Sequence, residues 1–591
     1  MKRFIGRVQD DGLHSHPAPE RYQQYQVLWR GYLANREDVI KEAARRRTPI
    51  RDGSEGELFA LAYQWWDDDM QAHLLGEYAV AIFDIRTASL LLTHDALGLL
   101  PLFYGSLPDG VFFGSHLEDV VLAMGGDDLD EEYLAEFIAK CSYLSDRTTY
   151  RAVRRLGMGR SLLYRGGRIV WRRSWELPAT EPVMVEDKAY EEDFRSLLNQ
   201  GVAAALQAPG PVWSELSGGL DSATIVCLAA RTGARPLEVL SRVYDRYREA
   251  DESAWIRLVL DQHPLPWHPL DGDQHLPYSE LPDRFLGEPG LPMIDWSIHR
   301  CYEAMMRTNG VAAVLTGQGG DIAFMGVGSE PYYLADLART LKLRRLFAEL
   351  SRWRLADRQQ RSSLYWMTHY VLRPLANRWR RRPPRPSWQL ETSPWIHPEF
   401  ARKMARQQRH RPSDSSRGYT VDQGFFLEML STLMGHITQL NQIPQTFEYR
   451  HPLLFRPLVE FMFNLPWSQK LQPDADRFLQ RRALQGILPE AVRLKRGKVV
   501  NDQIYFEGLR HGGAWCELLT DDPRVADLGI VDRGGWIEAV GRARMGLTHY
   551  LPQFEAVAML EIWLRQRENL SRAPALPLYP PPKVVAGPPA P

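Results

Sequence analysis

The chain has 591 residues, 44% of them hydrophobic, and a formal net charge of −1, which leaves room for two to four domains of roughly 150 residues each and excludes a general attraction for nucleic acid. No apolar run approaches the roughly 20 residues of a membrane span, and Met1-Lys2-Arg3-Phe4 lacks the apolar core of a signal peptide. Four scattered cysteines, Cys141, Cys227, Cys301 and Cys516, form no Cys-x-x-Cys pair, which argues against zinc and a disulfide framework and for a cytoplasmic location.

In chain order, the first strong signal is Gly76 to Asp84, which alternates like a strand and is followed by the apolar stretch Leu90 to Tyr104. Val111-Phe112-Phe113-Gly114-Ser115 and Arg172-Arg173-Ser174-Trp175 are two further segments of this first part of the chain. The character changes at Pro211 to Leu216, an extended apolar run. It turns through Leu216-Ser217-Gly218-Gly219-Leu220-Asp221-Ser222 into the helix-like stretch Ala223 to Arg231. A strand that enters a helix through glycines leaves backbone N–H groups free at the positive end of the helix dipole, a recipe for holding phosphate. The run contains neither a Walker loop nor a Gly-x-Gly-x-x-Gly fingerprint.

Leu237 to Val243 then reads as a strand, with Asp251-Glu252 downstream. Val311 to Leu315 is another short β-branched run, and Thr316-Gly317-Gln318-Gly319-Gly320-Asp321 follows it. This is again the carboxyl edge of a parallel sheet, where open α/β folds bind ligands. Asp321 is therefore expected to face Asp221 across one metal-bound triphosphate, since Mg²⁺ takes one or two protein carboxylates plus phosphate oxygens. From about Arg339 to Arg411 basic residues greatly outnumber acidic ones, with tryptophans interleaved and Pro383, Pro384 and Pro386 breaking the run. The stretch reads first as a solvated insertion, and second as a grip for an acidic polymer or peptide. Tyr449-Arg450-His451-Pro452-Leu453-Leu454, Val459-Glu460-Phe461, and Leu488-Pro489 leading to Lys495-Arg496-Gly497-Lys498 complete the motifs, and the chain ends in a proline-rich tail.

The Ser-Gly-Gly-x-Asp-Ser run resembles the pyrophosphate loop of N-type ATP pyrophosphatases. With the other segments it resembles the asparagine synthetase B superfamily, from about Gly6 to about Leu564. The resemblance implies mixed α/β and α+β architecture. A glutaminase-like sandwich of the N-terminal-nucleophile type would span 1–178. An adenylating synthetase domain, with a doubly wound parallel sheet and added helices, would span 186–570. That domain would carry a basic helical insertion at about 335–412, and 573–591 would be a disordered tail. ATP and Mg²⁺ are the implied cofactors. The nucleotide would rest on Leu216, Ser217, Gly218, Gly219, Asp221, Ser222, Val243, Thr316, Gly317 and Gln318, with the metal on Asp221 and Asp321. Lys498 would neutralise charge on the adenylated intermediate. Lys495 stands in reserve, because Lys498 lies one residue further from Leu488-Pro489 than the common form.

Two departures narrow the expectation. The family's glutaminase needs a cysteine directly after the initiator methionine, and Lys2 stands there, so the first domain is expected to be a structural relic or a docking surface. Gln318 stands where asparagine synthetases carry Glu and β-lactam-forming members carry Tyr; an amide takes no proton, and Glu349, His369, His436, substrate phosphate or water stay open as the acceptor. The resulting expectation is a macrolactam synthetase of the lasso peptide cyclase type. It would activate an Asp or Glu side chain of a precursor peptide and close a ring with the peptide's α-amine, with a leader peptidase and a leader-recognition protein as partners. The alternatives are a small-molecule amide ligase, either β-lactam-forming or ammonia-dependent, and a non-catalytic homologue that binds ATP or a peptide.

Overall fold

The computed structural model describes residues 3–570 apart from 10–11, 126–127, 140–145, 181–185, 326–329, 358, 381–391, 411–417, 444, 498–501 and 549–550. The reading of 573–591 as a tail, Cys141 and Lys498 therefore lie outside the described residues.

The first region is a sandwich of two antiparallel sheets. One has six strands in the order Arg168–Arg173, Arg160–Arg165, Ser89–His94, Gly76–Asp84, Tyr25–Leu33 and Glu20–Tyr22. The other has five, with Ile5–Gln9 paired between Gly12–His16 and Gly110–Gly114. Alternation along Gly76–Asp84 decides the layers. Ala79, Ala81 and Phe83 face the second sheet with Phe4, Val8 and Phe113, while Val80 and Ile82 face the helix Glu55–Trp66. Both faces of the strand are buried, and its side chains from Ala79 to Phe83 are apolar.

The second region is built on a five-stranded parallel sheet. Its order is Trp267–Asp271, Leu237–Val243, Val212–Glu215, Ala313–Leu315 and Glu448–Arg450. Buried on both faces, it draws one core from Val212, Val239, Ala313 and Leu315 and another from Trp213, Leu240, Val314 and Tyr449. Chain order runs outward from Val212–Glu215 in one direction and then outward from Ala313–Leu315 in the other, so the topological switch point lies between those two strands.

The segment read as a solvated insertion has a core of its own. Tyr332, Tyr333, Leu346, Leu350, Trp366 and Tyr370 pack with Val421 and Phe425. Trp395, Ile396, Phe400 and Met404 join a different core, with Trp536 and Phe554. Among the described residues no helix is long and apolar enough to cross a membrane.

Candidate active site

Two loops leave the carboxyl ends of the strands that flank the switch point. In the first, the strand ladder continues to Leu216, whose N–H donates to Leu240 O at 2.8 Å. Gly218 takes φ +71°, and a Cβ there would lie 2.8 Å from Trp255 Cβ. Gly219 caps the helix Leu220–Thr232, which starts three residues before the apolar stretch at Ala223, so Asp221 and Ser222 sit in its first turn. The loop closes on itself: Ser217 N–H donates to Ser222 Oγ at 3.1 Å, and Ser222 Oγ donates to Gly219 O at 3.3 Å.

In the second loop Thr316 N–H donates to Arg450 O at 3.0 Å, and Gln318 N–H donates to Thr316 Oγ1 at 3.3 Å. The short helix Gly320–Ala323 follows. The two loops touch through their glycines. A Cβ on Gly317 would fall 2.8 Å from Ser222 N, and one on Gly320 only 2.3 Å from Asp221 Cγ.

This contact brings Asp221 and Asp321 onto one cation. Arg477 Nη2 donates to Asp221 Oδ2 at 2.9 Å and also to Asp321 Oδ1. Gln480 Nε2 donates to the other oxygen of Asp221 at 3.1 Å and to Thr224 Oγ1 at 3.2 Å. Burial alone would lower the Arg477 guanidinium, but the charges of Asp221, Asp321 and Asp476 raise it above the ordinary arginine value. Two carboxylates that share one cation suit Mg²⁺ when phosphate oxygens complete the shell. Among the described residues no cluster of three or more His, Cys, Asp or Glu offers a fuller set of ligands.

Lys495 reaches the same place from the far side. Its Nζ donates to Gly218 O at 3.3 Å and to Glu252, and lies 4.7 Å from the Trp255 ring centroid. Val243 ends its strand opposite Asp271. Asp251 is held by Tyr244 N–H at 3.1 Å and Ser253 Oγ at 2.5 Å, and the helix Ser253–Gln262 begins directly after Glu252. Glu349 and His369 belong to the helical insertion, where Glu349 accepts from Tyr333 at 2.9 Å and His369 stacks on Tyr365. His436 lies in the long helix Val421–Leu440.

Arg477, Gln480 and Glu215 escaped the sequence reading. Glu215 ends the central strand, and burial pushes its carboxyl above the usual range while a hydrogen bond with Thr316 partly offsets the rise.

The family model for asparagine synthase matches residues 193–565, and that for a glutamine amidotransferase domain matches residues 8–175. The chain is 24% identical over 503 residues to an asparagine synthetase [glutamine-hydrolyzing] 3 of Bacillus subtilis (strain 168), covering 80% of this chain and 74% of the relative. It is 24% identical over 303 residues to the amidase chyE of Penicillium rubens, covering 48% and 44%. Among solved structures, a glutamine phosphoribosylpyrophosphate amidotransferase from B. subtilis complexed with ADP and GMP aligns at TM-score 0.22 and 12% identity, over 53% of this chain and 84% of that one.

Proposed function

We propose that this chain, which belongs to the asparagine synthase family of ATP-dependent carbon–nitrogen ligases, activates a carboxylate as its adenylate with release of pyrophosphate, and forms an amide when an amine displaces AMP. The observation that carries this reading is the convergence of Asp221 and Asp321 on one cation beside a glycine loop that Lys495 grips from behind. In it Ser217, Gly218, Gly219 and Ser222 cradle the pyrophosphate, Leu216, Val243, Thr316, Gly317 and Gln318 contact the nucleotide, and Asp221 and Asp321 hold Mg²⁺. The metal supplies charge neutralisation on the phosphates. Lys498 stabilises charge on the acyl intermediate, with Lys495 holding the loop.

For the acceptor, our reading is a peptide whose Asp or Glu side chain is joined to its own N-terminal amine, as in lasso peptide cyclases. Gln318 supports it, because an amide side chain orients a substrate without taking its proton. An intramolecular amine also needs less help, since folding the peptide in the site supplies a high effective molarity. A small-molecule amide ligase is the second reading, favoured by the asparagine synthetases among the relatives.

The test is ATP–pyrophosphate exchange with Mg²⁺ and candidate acceptors. AMP and pyrophosphate are expected, and ADP with phosphate would overturn the adenylate reading. Asp221→Asn and Asp321→Asn should each abolish exchange in a folded protein. With a leaderless core peptide and its processing partners, the product should be lighter by one water. Free aspartate or a β-amino acid consumed in its place would select the small-molecule ligase.

A further inference from the structure

The helical insertion carries an outer surface that neither the fold nor the adenylating site uses. Between Leu341 and Arg380 the sequence holds ten Lys and Arg against two acidic residues, Glu349 and Asp357. Both acids are turned to internal partners, Glu349 to Tyr333 and Arg352, and Asp357 to Trp366. The whole chain is near neutral, so acidic residues elsewhere balance this local surplus.

The same stretch exposes apolar side chains. Trp379 is 84% exposed, Leu341 80%, Leu355 77% and Leu364 72%, the four largest values among the large apolar residues described. They do not belong to the insertion's core. In the helix Leu343–Ala356, Leu346 and Leu350 point inward, while Leu343, Phe347 and Leu355 fall within an arc of about 120° that adjoins this buried stripe at 3.6 residues per turn. The helical run from Ser363 to Trp379 packs beside it. It buries Trp366, Tyr370 and Val371 and leaves Leu364, Leu372 and Trp379 outside. Lys342, Arg344, Arg354 and Arg380 are exposed around these side chains.

These apolar side chains are gathered on two helices that pack side by side and are rimmed by charged residues, the arrangement of an interaction site rather than of single scattered residues. Protruding Leu, Phe and Trp set among Arg and Lys are the composition of a surface that lies in the boundary of an anionic bilayer, where the side chains enter the acyl region and the cations meet headgroup phosphates. We infer that the outer faces of Leu343–Ala356 and Ser363–Trp379, with the tip at Leu341, dock this protein on an anionic lipid surface. The inference is independent of the acceptor that the adenylating site takes.

Co-sedimentation of the full chain with vesicles tests it. Binding is expected to vesicles of phosphatidylcholine with phosphatidylglycerol, weak or absent on phosphatidylcholine alone, and falling with added salt. Arg344→Glu with Arg354→Glu should cut binding at least about five-fold per cation lost, and Leu341→Ser with Leu355→Ser should abolish it. All four residues are exposed and none contributes to the adenylating site, so ATP–pyrophosphate exchange should be unchanged and reports that each variant is folded. Failure of the wild-type chain to bind phosphatidylglycerol vesicles at low salt would sink the proposal. So would binding that survives Leu341→Ser with Leu355→Ser. Capture of polyglutamate but not of vesicles would assign the face to an acidic polypeptide instead.

Discussion

Arg477 adopts φ 48° at the entry to its helix, a conformation that costs a non-glycine residue of order 1–2 kcal/mol. Its N–H is fixed on Met325 O at 3.1 Å, and its guanidinium lies between Asp221 and Asp321 with a side chain only 9% exposed. Arg477→Met would remove the cation that the two converging carboxylates share. Since Asp321 remains one-third exposed, the loss should be about 2 kcal/mol, below the 3–5 kcal/mol of a fully buried pair. Mg²⁺ should restore part of that stability by binding only the folded state. A denaturation midpoint that ignores Mg²⁺ would show that the aspartates do not hold it. Lys498→Ala should slow amide formation on the order of 10²-fold or more, while Lys495→Ala should weaken ATP binding through Gly218 and Glu252. Single-turnover assays beside nucleotide titrations separate the two, and exchanged phenotypes would move the catalytic charge to Lys495. Asp221 and Asp321 were legible in the sequence because glycines and an acid after a short apolar run mark a strand end. Arg477 was not: its partner lies 256 residues away, and nothing local in Asp474-Ala475-Asp476-Arg477 announces it.

At the scale of elements, the site depends on how closely two loops approach. Gly320 has no room for a methyl group beside Asp221, so Gly320→Ala must push the loops apart or turn the carboxylate away from the cation. Exchange should fall at least about 10²-fold, the scale on which small misplacement acts, with far-ultraviolet circular dichroism unchanged. Gly541→Ala is the control, since it lies inside the helix Arg533–Arg544 and an added methyl group would meet nothing within 4 Å; it should add about 0.5–1 kcal/mol of stability. Full activity in Gly320→Ala would mean that the loops move freely. The strands around these loops were readable from short apolar β-branched runs and their glycine exits. The insertion was misread because its arginines suggested solvent, whereas long side chains cover rings with their stems. Arg345 lies 5.2 Å over Trp467 and Arg361 5.0 Å over Tyr365. Aromatic residues at helical spacing carried the core, and the charge count concealed it.

The two regions of the molecule share apolar cores, Leu97 and Leu99 with Val212 and Leu454, and Phe103, Leu117 and Tyr150 with Trp296 and Trp563, and buried polar contacts lie between them as well. Glu77, in the sandwich, accepts from His451 N–H at 2.6 Å and has its other oxygen 2.9 Å from His451 Nδ1; their side chains are 7% and 1% exposed. Arg30 donates to Asn441 O at 3.0 Å, and Asn441 Nδ2 donates to Leu99 O at 2.8 Å. The seam leads to the site. His451 follows Glu448–Arg450, the strand that pairs with Ala313–Leu315, and Arg450 O receives the N–H of Thr316 at the start of the metal loop. Glu77→Ala would strand a buried backbone N–H and an imidazole without partners, a loss of about 3 kcal/mol. Calorimetry should then show a lower melting temperature, with exchange reduced because the Thr316 loop loses its backing. Glu77→Gln keeps an oxygen for the His451 N–H and should fall between the two. If Glu77→Ala unfolds and turns over like the wild type, the sandwich is not what holds the last strand in register, and the support for the metal loop must come from the sheet alone.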